Sequence, residues 1–165
     1  MKPQVYLLLL IMASMYGLFS CNINNPLNSN ESKLVLKVPS QSKVNSSDSV
    51  IYTGKDIQWF IESTGELQFV NPPTLQKFQT FGKIKFYLGN DSLFTASVVL
   101  DFMSSTRNDL VLHLNSVGKF YFEDGYPAYI DNLGSTTLRA QNKEKRAAAW
   151  ALFIAQLKTE GKYKE

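Results

Sequence analysis

Few residues in this chain could do chemistry. His113 is the only histidine. A serine triad would need it as the base, with Ser104 or Ser105 as nucleophile and Asp101 or Asp109 orienting the ring. All of these lie between positions 101 and 113, so one strand and its loop could gather them. The pattern around His113 points elsewhere. It alternates against Leu112 and Leu114 in "LVLHLN", which reads as an exposed strand histidine, and the serines sit in a plain polar loop. No G-x-S-x-G elbow presents a serine.

Two carboxylates could instead hydrolyse a glycosidic bond. Glu123 and Asp124 are adjacent and precede Gly125, so they read first as turn residues. Asp101 and Asp109 flank a loop, where solvation is the simpler account. Asn90, Asp91 and Asp124 offer oxygens to calcium, but nothing has the alternating ligands of a twelve-residue calcium loop. There is no Gly-rich phosphate loop or dinucleotide fingerprint. The expectation is no catalytic site, no metal and no cofactor. A small hydrolase using His113 or a carboxylate pair is the alternative.

Aromatic residues are mildly abundant, with 11 Phe, 8 Tyr and 2 Trp. Most of the phenylalanines fall on alternating core positions. Tyr121, Tyr126 and Tyr129 in "KFYFEDGYPAYI" sit beside turns and form a candidate binding surface for a sugar ring or a protein. Capping of the sheet edge and helix is the competing account. Lys143, Lys145 and Arg146 read as the solvated start of a helix. Asn30, Asn45 and Asn90 begin N-x-S triplets. Asp48-Ser49-Val50 and Asp91-Ser92-Leu93 resemble a short bacterial O-glycosylation pattern, one that chance produces often.

The elements that must position these residues begin at "KLVLKV", a possible strand over Leu34 to Val38. Ile57–Ile61 and Glu66–Val70 read as a hairpin around "ESTG", with Gly65 able to take positive φ. A helix competes there, because Thr53 and Asp56 have capping-box spacing. Pro72-Pro73 forces a turn, with one or two helical turns through Leu75 and Phe78. Alternation then predicts strands in "KIKFYL", "SLFTASVVL", "LVLHLN" and "FYF", joined by turns at Gly89–Asp91, "SVGK" and Glu123–Gly125. The period changes near the end. Ala147, Trp150, Ala151, Ile154 and Leu157 mark a helix starting between Thr137 and Asn142 and ending near Gly161. Ala148, Leu152, Phe153 and Ala155 widen its apolar stripe, which predicts cover on more than one side. The fold class expected is α+β: an antiparallel β-meander with one long C-terminal helix packed on one face.

The chain begins with one lysine, then an uncharged run from Val5 to Phe19. That run is shorter than the roughly 20 residues of a membrane-spanning helix, and reads as a secretory signal peptide. It ends in "LFSC". Leu18, Ser20 and Cys21 resemble the lipobox of bacterial lipoproteins, while Phe19 is bulkier than that pattern prefers. The resemblance covers only about the first 21 residues. It implies cleavage between Ser20 and Cys21 and a lipid on Cys21, hence a membrane partner.

The layout expected is a signal peptide over 1–20, a lipidated N-terminus and polar tether over 21–50, and one domain over 51–165. Removing 20 of the 165 residues leaves 145, one ordinary domain, and loss of Lys2 takes the formal charge from +3 to +2. That small excess argues against a nucleic-acid partner. With its one cysteine lipidated, the domain has no disulfide, zinc thiolate or cysteine nucleophile. "CNINN" carries neither an acidic surface signal nor the Asp that resembles an inner-membrane retention signal. An outer-membrane anchor facing the periplasm is therefore expected, with an envelope protein or glycan as the domain's partner.

Overall fold

The computed structural model describes residues 32–40, 47–129 and 135–165. The expected signal peptide over 1–20, with Ser20, and Cys21, Asn30 and Asn45 lie outside them. Nine strands form one sheet among the described residues: β1 Leu34–Val38, β2 Ser49–Thr53, β3 Ile57–Ile61, β4 Glu66–Phe69, β5 Lys83–Leu88, β6 Asp91–Leu100, β7 Arg107–Leu114, β8 Phe120–Tyr126 and β9 Tyr163–Lys164. Helix α1 spans Leu75–Gln79 and α2 spans Ser135–Thr159. The fold is α+β.

The sheet is mixed, which corrects the expected antiparallel meander. Its order is β2-β1-β5-β6-β7-β8-β4-β3-β9. β6 and β7 run parallel, with Val98 beside Leu112 and Val99 beside His113. β3 and β9 are also parallel. A parallel neighbour usually needs a crossover of a dozen or more residues. Here residues 101–106 make the return, and so short a polar stretch reads in sequence as a hairpin loop.

The hairpin reading of Ile57–Ile61 holds, with Phe60 opposite Leu67. The helical signal beside it was also real. Asp56 Oδ2 accepts from the Thr53 amide at 2.8 Å and its hydroxyl at 3.0 Å, closing a 3-10 turn over Gly54–Asp56 that aims β3. Gly65 has φ of 73° and its carbonyl accepts from the Phe122 amide at 2.8 Å. A Cβ there would stand 2.4 Å from the Phe122 carbonyl oxygen, so only glycine lets the hairpin approach β8. Glu123, Asp124 and Gly125 lie within β8, not in a turn. The strand expected at Leu34–Val38 within the 21–50 segment forms as β1, which lies inside the sheet with Leu34 and Leu36 fully buried.

The sheet curls until its edges approach. Tyr52 of β2 stacks on Phe69 of β4 with ring centroids 4.8 Å apart. Ser32, just before β1, donates to Glu160, just after α2, at 2.6 Å. Lys162 donates to the Gly54 carbonyl. Inside the curl, Phe60, Phe86, Phe94, Phe122, Trp150 and Phe153 interlock, mostly edge to face, with centroids 4.8 to 6.2 Å apart. Helix α2 closes this side over β6, β7 and β8. It buries Phe153, Ile154 and Leu157, while Ala147, Ala148, Ala151, Leu152 and Ala155 stay exposed. The helix is thus covered on one side. Its extra apolar breadth is largely alanine, which favours helix formation without needing burial.

Candidate functional site

A concavity lies where α2 crosses the β3–β4 hairpin. It is a groove of about 750 Å³. Phe60, Leu110, Phe122 and Trp150 form its floor, and Ala147, Ala151 and Ala155 form one wall. Those alanines recur every four residues, so they share one helical face. Their small side chains leave the space that a larger residue would fill. The rim is charged, with Glu62, Asp124, Lys143, Arg146 and Lys158.

The rim is organised by Asp124. Its carboxylate receives Lys143 at 2.9 Å and also pairs with Arg146. These cations are not the helix start expected of them, since α2 begins at Ser135. Arg146 is largely covered, and burial pulls its guanidinium down from its ordinary range, opposed by Asp109. It stays charged, because a guanidinium begins so high. On the other rim Tyr163 donates to Glu62, and that carboxylate pushes the phenol up to about 12. Arg139 ties the start of α2 down through Asn108 Oδ1 at 3.3 Å and the Pro127 carbonyl at 3.2 Å.

His113 lies on the other face of the sheet and is 9% exposed, so it is not the exposed strand residue expected. Its Nε2 meets Asp101 Oδ1 at 2.6 Å and its Nδ1 meets Glu123 Oε1 at 2.9 Å. The Glu123 hydrogen bond, followed by Asp101, holds the imidazole's pKa above its usual value despite burial. Asp101 is held below the usual carboxylate range, chiefly by the Ser116 amide, which donates to Oδ2 at 2.5 Å. Both ring nitrogens face carboxylates, a geometry that favours the protonated ring, which then donates to each and leaves no nitrogen for a serine. Ser105 Oγ is buried without a partner, and Ser104 is exposed. Among the described residues no group of acids, histidine or cysteine is arranged to hold a metal ion.

The three candidate tyrosines separate. Tyr126 is buried, with its ring 5.0 Å from His113 and its hydroxyl donating to the Asp101 carbonyl at 3.3 Å. Tyr121 is half-buried on β8, and Tyr129 is exposed. They do not form one platform. Asp48, first residue of one glycosylation-like triplet, is engaged by Lys85 at 2.8 Å, and Ser49 and Ser92 are exposed. The groove was missed in sequence, although the alanine spacing and the rim charges were its visible traces.

Among the described residues no helix is long and apolar enough to cross a membrane. No family model, curated protein or solved structure matches the chain.

Proposed function

We propose that this is a lipid-anchored cell-envelope protein of non-enzymatic type. Its domain is a binding or accessory module for an envelope protein or glycan. The observation that carries the reading is the groove beside α2. Its aromatic floor suits a sugar face or an apolar side chain, and its charged rim suits the polar edges of such a ligand. The volume falls within the range of small-ligand sites, roughly 300–1,000 Å³. The lipobox-like "LFSC" supports attachment through Cys21 at the outer membrane, facing the periplasm. The hydrolase alternative is weakened because the His113 ring is already committed at both nitrogens.

Trp150 in the groove floor supplies the test. A Trp59→Phe protein leaves Trp150 as its only tryptophan. Titration with soluble peptidoglycan fragments, and separately with envelope-protein peptides, should shift its emission. Ala151→Phe should fill the groove and weaken that response roughly tenfold while the fold survives. No response to either class would defeat the binding reading. Mass spectrometry of the mature N-terminus tests the anchor: an unmodified Cys21 or an intact Met1 would remove it.

A further inference from the structure

Four large apolar side chains are exposed at one end of the sheet. They are Val70 after β4 (54%), Leu75 in α1 (46%), Phe102 in the β6–β7 return (62%) and Val117 in the β7–β8 turn (75%). Contacts beneath them join these segments. The Asp101 carboxylate receives the Ser116 amide at 2.5 Å, which sets the Phe102 and Val117 turns side by side. Phe120, at the root of the same turn, packs its ring 5.2 Å from Phe69 and 5.0 Å from Phe78 of α1. The apolar tips therefore crown one buried cluster.

Lysine is the free charge around them, since Asp56, whose carbonyl accepts from the Val70 amide at 2.8 Å, has its carboxylate engaged by Thr53. Segments 70–83, 102–106 and 115–119 contain Lys77, Lys83 and Lys119 and no acidic residue. All three lysines are exposed, although Lys119 also reaches Glu66 at 3.0 Å. Asp101, just below, is already engaged by His113 and Ser116. Protein interfaces favour Tyr, Trp, Phe, Met and Arg and are depleted of Lys. These segments carry Phe102 and Met103 but no Tyr, Trp or Arg, and their exposed charges are lysines, the residue such interfaces avoid. Apolar tips on separate turns, ringed by lysine, instead suit an anionic bilayer, which admits such groups at its headgroup boundary.

We propose that this end of the sheet docks on an anionic lipid surface. Phe102 and Val117 enter the boundary, and Lys77, Lys83 and Lys119 meet the headgroups. The surface chemistry stands by itself; only its delivery to the bilayer rests on the lipid anchor proposed above. The reach is sufficient. Eleven steps from Cys21 to Ser32 span at most about 40 Å. The chain joins β1 at the opposite end, where the Lys33 carbonyl accepts from the Gly89 amide at 2.7 Å. The ten residues of β6, from Asp91 opposite Leu88 to Leu100, cover about 30 Å, so the extended length of the tether just exceeds the distance to the docking end.

The test uses mature protein purified from membranes, with its mass reporting the state of Cys21. A polarity-sensitive dye is placed on Val117→Cys, or on Leu138→Cys in α2 near the opposite end. If Cys21 proves free, Cys21→Ser is added to both. Vesicles of phosphatidylcholine with and without phosphatidylglycerol carry spin-labelled lipid as quencher. The Val117 site should be quenched roughly threefold more than the Leu138 site, and only with anionic lipid. Phe102→Asp with Lys83→Glu should abolish the difference without loss of the folded circular dichroism spectrum. Equal or absent quenching on a lipidated protein overturns the proposal and leaves the anchor intact. Quenching on a protein with free Cys21 supports the docking and removes the anchor. Val117 shielded by one cross-linked envelope protein, without quenching, assigns the surface to a protein and overturns the proposal.

Discussion

The two faces of the sheet are held by different physics. On the inner face six interlocked aromatic rings from β3, β5, β6, β8 and α2 exclude water over a broad area. On the outer face the buried apolar cluster among the described residues is Val99, Val111 and Tyr126, and beside it stands one imidazole ring between two carboxylates. The inner face is stabilised by area, which is non-directional and insensitive to pH. The outer face depends on a directed, charged arrangement, which fixes where the β6–β7 return and the β7–β8 turn must lie. The contrast teaches that a lone histidine with acidic neighbours can hold two turns in place.

Substitutions on each face should separate these terms. Phe60→Ala should cost most, about 3–5 kcal/mol, because Phe60 is fully buried and touches Phe122, Trp150 and Phe153. Urea unfolding monitored by circular dichroism would read this, and a cost under 1 kcal/mol would mean the ring cluster is not the main support. His113→Ala should cost less, about 2 kcal/mol, since it leaves two carboxylates facing each other that are partly open to solvent. Val99→Ala should cost about 1.5 kcal/mol, the value of two buried carbons. If it equalled Phe60→Ala, the two faces would not differ as described. Asp101→Asn should have the smallest global effect. It should still speed hydrogen exchange at the Ser116 amide several-fold, because that amide loses a charged acceptor.

The pH dependence sharpens the same comparison. The folded His113 keeps its proton at pH values where the unfolded chain, titrating near about 6.5, has lost it. Folded protein then binds more protons than unfolded, so stability falls as pH rises from about 6.5 through the higher folded value. Asp101 acts in the opposite sense. Its contribution is present above about 3.9 and is lost as pH falls through its lower folded value, weakened by its partial exposure. Unfolding of the wild type and of His113→Gln between pH 5.5 and 9 should differ in slope, with the alkaline loss absent in the variant. Parallel profiles would remove the clamp from the stability of the outer face.

Much of the fold was legible from local pattern. Leu110, Leu112 and Leu114 alternate, and the structure buries all three on the helix side of β7. The strand at Leu34–Val38, the hairpin around Gly65 and the helix ending before Gly161 follow from the same local logic. The parallel pairing of β6 and β7 was not legible, because six residues without a regular period look alike whether they turn a hairpin or carry the chain back. The His113 clamp was legible only as residue types. Asp101 comes from the return and Glu123 from the next strand, and only their pairing makes the ring doubly bound.

The sequence by itself determined which residues alternate, where glycine and proline must turn the chain, and that one long helix follows the run of strands. These are short-range consequences of side-chain shape and backbone freedom. Only the tertiary structure decided strand order, the curl that brings Tyr52 onto Phe69, and the groove between α2 and the β3–β4 hairpin. Those depend on contacts between residues far apart in the chain, which no local period encodes.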